Sequence, residues 1–201
     1  MESKITNYSV PTEYQSELGK MNILGFWIFI AAEIILFATL FALYGVYHDR
    51  IGDGPAGPEV FVIKDVVIQT VLLLTSSFTC GYVITSMRRG NVKGAIVWIA
   101  ITLLFGLGFL VMEINEFIHY VNAGLAIQTS AFGSSLLTLL GTHGAHVTFG
   151  LFWGIILAIQ LAQRGITAFT ASKVHIWSIY WHFLDVVWIF VFTFVYLGGL
   201  M

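Results

Sequence analysis

Charge is what this sequence has least of. Asp, Glu, Lys and Arg together make up 10% of its 201 residues, against about a quarter in an ordinary soluble domain. With 58% hydrophobic residues and a mean hydropathy of +0.87, the chain reads as an integral membrane protein. The formal net charge is -2 and there is no long basic run, so nucleic acid is excluded as a partner. Cysteine occurs once, as Cys80, which rules out an internal disulfide, a CxxC metal site and a covalently attached c-type haem. The three prolines all lie outside the long apolar runs. No helix broken at mid-span by proline and no evident repeat pair supports a transporter. A cleavable leader is not expected, because residues 1–20 are polar and the first apolar run is too long for a signal core.

What is present is a set of five apolar runs, at approximately 22–47, 66–87, 95–117, 132–162 and 174–200. Each reaches the roughly 20 residues that a helix needs to cross hydrocarbon. The connections are short and leave no room for a soluble domain. The fold expected is all-α, a polytopic five-transmembrane-helix bundle over 22–201 behind a polar segment, 1–21. Lys4, Lys20, Arg88, Arg89, Lys93, Arg164 and Lys173 fall on one side of it, and only Arg50 and Lys64 on the other. Positive charge stays cytoplasmic, so the N-terminus is expected inside and the C-terminus outside.

Several polar side chains sit within these runs. Counting at about 1.5 Å per residue, Glu33, His143, His146, His182 and Asp185 fall near mid-membrane, on the first, fourth and fifth spans. Glu113 and Glu116 come late in the third span, near its outer end. Residues three or four apart share a helix face, which pairs His143 with His146, Glu113 with Glu116, and Trp181, His182, Asp185 and Trp188 together. An ionisable group in hydrocarbon normally faces the bundle. The expectation is a buried polar layer in which Glu33 and Asp185 meet histidines of the fourth and fifth helices. For the histidines, metal or haem ligation, a proton relay and structural ties between helices all remain open, although there is no HExxH and no Cys/His array. Gly150 and Gly154 form a GxxxG, a motif that lets helices approach closely in lipid. Arg88, Arg89, Arg164 and Lys173, near inner helix ends, are candidates to hold an anionic lipid headgroup; plain topology would place them there too.

Four stretches carry a resemblance: "GFWIFIAAEIILFATLFALYG" (25–45), "GFLVMEINEF" (108–117), "GTHGAHVTFG" (141–150) and "YWHFLDVVWIFVFTFVYLGG" (180–199). In that order the chain resembles subunit III of the haem-copper terminal oxidases, and within it the short bacterial form of the quinol oxidases, a resemblance that implies menaquinol as the electron donor. The mitochondrial form has leading helices that this chain lacks. The resemblance implies a subunit without haem, copper or quinone, docked on oxidase subunit I alongside subunits II and IV, holding phospholipid and supporting proton uptake and durability in a bacterial cell membrane. Haem and copper are expected in subunit I. Glu33 takes the place of the family's buried carboxylate, Glu116 that of the third-helix glutamate, and His143, His146, His182 and Asp185 match further signature positions. Subunit III of a bacterial cytochrome c oxidase is the alternative. An autonomous membrane redox protein or a small transporter would be readings of another class.

Overall fold

The computed structural model describes residues 11–200 apart from 53, 56 and 129, so Lys4 and the rest of 1–10 lie outside the described residues. The structure is all-helical. Its long helices are α1 (Glu17–Tyr47), α2 (Ile63–Arg88), α3 (Val92–Asn122), α4 (Ala131–Arg164) and α5 (Ala168–Phe190). All five are long and apolar enough to cross a membrane.

The helices outrun the apolar runs that announce them. α1 starts at Glu17 rather than 22, α3 continues to Asn122 rather than 117, and α5 starts at Ala168 rather than 174. Capping explains the starts, because a side-chain oxygen there satisfies an amide that the helix leaves unpaired. Ser16, Asn91 and Ser130 accept from Gly19, Gly94 and Gly133, each at 2.9 Å. Thr167 and Thr170 form a reciprocal capping box at α5. Between α2 and α3 the chain turns on Gly90, whose φ of +71° suits a residue without a β-carbon. Past Phe190, α5 widens into a π-helical stretch, Val191–Leu197. Its five-residue repeat keeps Val191 and Tyr196 both on the buried side.

The packing has a definite centre. α2, α3, α4 and α5 follow one another around a ring, which closes where α5 returns against α2; α1 lies outside it, against α4 and α5. Half of the apolar stretch of α5 is buried inside the protein, against 11% for α1. Trp177, Trp181 and Trp188 of α5 are fully buried and fill the ring. A β-carbon at Gly106 would come within 2.7 Å of the Trp181 ring, and one at Gly154 within 2.9 Å of the Trp177 ring; Gly150 is also against Trp181. The Gly150–Gly154 pair therefore seats indoles rather than bringing two backbones together. Each indole N–H donates at 3.0 Å: Trp177 to the Gly150 carbonyl, Trp181 to Ser76 Oγ and Trp188 to Thr70 Oγ1.

A short turn, Thr12–Tyr14, closes the basic face of the bundle. Glu13 is fully buried there and accepts from Arg88 Nη2 at 2.6 Å and Nε at 3.0 Å. Tyr14 Oη lies 3.3 Å from His175 Nε2.

Candidate functional site

Three separate polar clusters occupy the interior, where the sequence had suggested one layer. The first joins α1 to α4. Glu33 Oε2 is 3.1 Å from His146 Nε2, and Phe37 covers the imidazole at 5.3 Å. His146 Nδ1 lies 2.7 Å from the Thr142 carbonyl, which only accepts, so Nδ1 carries a proton. The contact with Glu33 then holds a proton of its own, on the carboxyl of a neutral pair or on Nε2 of an ion pair. Glu33 and His146 thus meet between α1 and α4.

The second cluster lies between α3, α4 and α5. His143 is fully buried between Phe109 at 5.7 Å, Trp188 at 5.4 Å and Phe37 at 6.4 Å. Neither ring nitrogen has a hydrogen-bond partner among the described residues, and neither has the Glu113 carboxylate. Glu113 is 2% exposed, and its Oε2 sits 2.6 Å from where a β-carbon of Gly144 would be. Glu113 is thus turned into the bundle. Its expected companion, Glu116, departs to other partners, accepting from Gln69 Nε2 at 2.9 Å and from the Tyr120 hydroxyl. His143 and His146 likewise diverge, one into the ring of helices and the other toward α1.

The third cluster joins α2 to α5. Ser77 Oγ lies 2.6 Å from His182 Nδ1. Asp185, three residues further along α5, is buried with its Oδ1 unpartnered. Among the described residues no hydrogen bond joins Asp185 to a histidine, where the sequence suggested one. A nucleophilic triad needs the imidazole between the other two, so this is a tie and not a hydrolytic centre.

Among the described residues no hydrogen bond links one cluster to the next, and no group of three His, Cys, Asp or Glu side chains could hold a metal ion. On the basic face Arg88 is committed to Glu13. Arg89 and Arg164 are exposed at helix ends. Lys173 donates to Gln160 at 3.3 Å and lies 4.3 Å over the Phe169 ring. Sequence reasoning missed Glu13, Gln69, Ser76 and Ser77 as partners. The one available signal was the density of hydroxyls in α2, where Thr70, Thr75, Ser76, Ser77 and Thr79 share one span.

These features define a polytopic helical membrane protein whose interior polar groups are shared between helices. Residues 13–200 match the family described as cytochrome c oxidase subunit III, and the chain belongs to that family. It is 58% identical to quinol oxidase subunit 3 of Bacillus subtilis (strain 168), over 96% of this chain and 95% of that one. It is 46% identical to cytochrome c oxidase subunit 3 of Bacillus sp. (strain PS3), over 100% and 98%. It is 45% identical to cytochrome bo(3) ubiquinol oxidase subunit 3 of Pseudomonas putida, over 91% and 88%. This sets aside the autonomous redox protein and the transporter.

Proposed function

We propose that this chain is subunit 3 of a quinol oxidase, a companion of the redox subunits and not itself a redox centre. The observation that carries the reading is the near-full-length likeness to the Bacillus quinol oxidase subunits. The chain is a multi-pass membrane protein of a bacterial respiratory oxidase, in a family whose haem and copper sit in subunit I. It works by packing: one five-helix domain over 22–201 docks on subunit I, with subunits II and IV in the same complex, while quinol, in this reading menaquinol, is oxidised and oxygen reduced next door. The bundle stands with the start of α1 in the cytoplasm, supported by the basic residues gathered on that face. Glu33, His143, His146, His182, Asp185, Glu113 and Glu116 serve as ties and packing groups in the interior. Arg89 and Arg164, with Lys173 and Arg88 beside them, offer guanidinium and ammonium groups to phospholipid headgroups.

The test is purification of the tagged chain from its own membranes. Quinol oxidase function requires haem-copper subunit I among the co-purifying subunits, with bound quinone and no dinuclear copper. A dinuclear copper partner would instead support the cytochrome c reading, which the Bacillus PS3 relative favours. Stoichiometric haem or copper on the isolated chain would overturn both.

A further inference from the structure

The α2–α5 face opens into a groove of about 530 Å³, with Ser77, Phe78, Gly81 and Thr85 along one wall and His182 and Asp185 along the other. Its position is at mid-span, where hydrocarbon would otherwise fill it. Asp185 is 6% exposed, and its Oδ1 has no partner among the described residues. A carboxylate beside lipid at this depth is costly, and such groups normally find a donor. Asp185 Oδ1 is thus an acceptor without a donor, and His182 stands beside it on the same wall.

The opposite wall has a shape of its own. Ser77, Gly81 and Thr85 recur every four residues, so they form one stripe extending about 12 Å along α2. A β-carbon at Gly81 would meet nothing within 4 Å. Thr85 turns its hydroxyl back to the Gly81 carbonyl at 3.2 Å and leaves its methyl outward. A stripe of small side chains lets the backbone of a neighbouring helix come close.

We propose that this groove seats a transmembrane helix of another oxidase subunit, one that places a hydrogen-bond donor opposite Asp185 and His182. The donor is a hydroxyl, an amide or a cationic side chain. An elongated small-residue wall selects a helix over a compact ring, and a buried acceptor without a donor selects the chemistry of what faces it. The inference rests on the oxidase-subunit reading and names the surface through which it operates.

The experiment uses the tagged chain co-expressed with the remaining oxidase subunits and purified in mild detergent. Gly81→Leu projects a side chain into the groove from a position where a β-carbon has open space. Gly25→Leu places the same side chain at an open glycine of α1 and serves as control. Both are expected in the membrane at the parental level. Gly81→Leu should recover roughly fivefold less of the partner subunits, the scale of a lost interhelical contact, and Gly25→Leu the parental amount. A photo-crosslinking amino acid replacing Phe78, which is 67% exposed, should give an adduct with a partner polypeptide; if Gly81→Leu fails to accumulate, this adduct decides alone. Full recovery with Gly81→Leu, equal loss from both variants, or crosslinks confined to lipid or quinol would overturn the proposal. A parental chain that brings down no oxidase subunit would overturn the functional reading instead.

Discussion

At Glu33 one proton can change sides while the hydrogen bond persists. His146 Nδ1 is spent on Thr142, so the link to Glu33 survives with the proton on either partner. Glu33→Gln keeps a donor in place, since its amide can give a proton to Nε2. Oxidase turnover and the proton-to-electron ratio of the assembled complex are expected to stay at the parental values; loss of pumping with normal subunit content would make Glu33 a proton-path residue. Gly144 is a sharper constraint. Gly144→Ala drives a methyl into the Glu113 carboxylate, and overpacking of this kind costs about 1–3 kcal/mol. The thermal midpoint of the purified complex should fall, whereas Gly25→Ala, with open space around it, should leave it unchanged. Glu33 and His146 were legible because a charge in an apolar run must find a partner within the bundle. The partner of His182 was not, since one serine among the many hydroxyls of α2 looks like any other until α5 is laid beside it. The surroundings of Glu113 were not legible either, because counting gives depth along a helix and says nothing of the direction in which the side chain leaves it.

The helices themselves were visible as apolar runs, but their ends were not. Hydropathy marks the length bathed in hydrocarbon, while Ser16, Asn91, Ser130 and Thr167 set where the backbone actually begins to coil. The glycine pair in α4 was legible as a close approach, yet what approaches is a ring. Trp181→Ala would empty the space beside Gly106 and Gly150 and strand Ser76, at a cost of about 3–5 kcal/mol. Trp181→Phe keeps most of the volume and should lose about 1 kcal/mol, chiefly the indole hydrogen bond. Detergent-induced unfolding of the two variants checks the order. The Thr12–Tyr14 turn makes a further case. Arg88→Ala leaves the buried Glu13 carboxylate without its cation, and because Arg88 is half exposed the cost should be nearer 1–3 kcal/mol than that of a wholly buried pair. The expected sign is faster proteolytic cleavage near residue 13 with the rest of the bundle intact.

For the molecule as a whole, the count of spans and the side on which basic residues gather could be read directly, whereas the neighbours of each span could not. Nothing in five apolar runs says that α5 is the most enclosed span and α1 the least; that depends on which faces carry tryptophan and which carry glycine to receive it. Orientation can be measured with single cysteines, since Cys80 is fully buried. In intact cells, Arg50→Cys is expected to react with a membrane-impermeant maleimide, and Lys93→Cys only after permeabilisation; the reverse pattern would invert the bundle. The order of synthesis gives the enclosure of α5 a further meaning. α5 leaves the ribosome last, after the glycines of α3 and α4 that receive its indoles and the Ser76 and Thr70 hydroxyls that accept from them, so a nascent chain ending at Arg164 has glycine faces with nothing in them and two hydroxyl oxygens without their donors. Closure of the ring is therefore the last event of the bundle's assembly, and it waits on the final span.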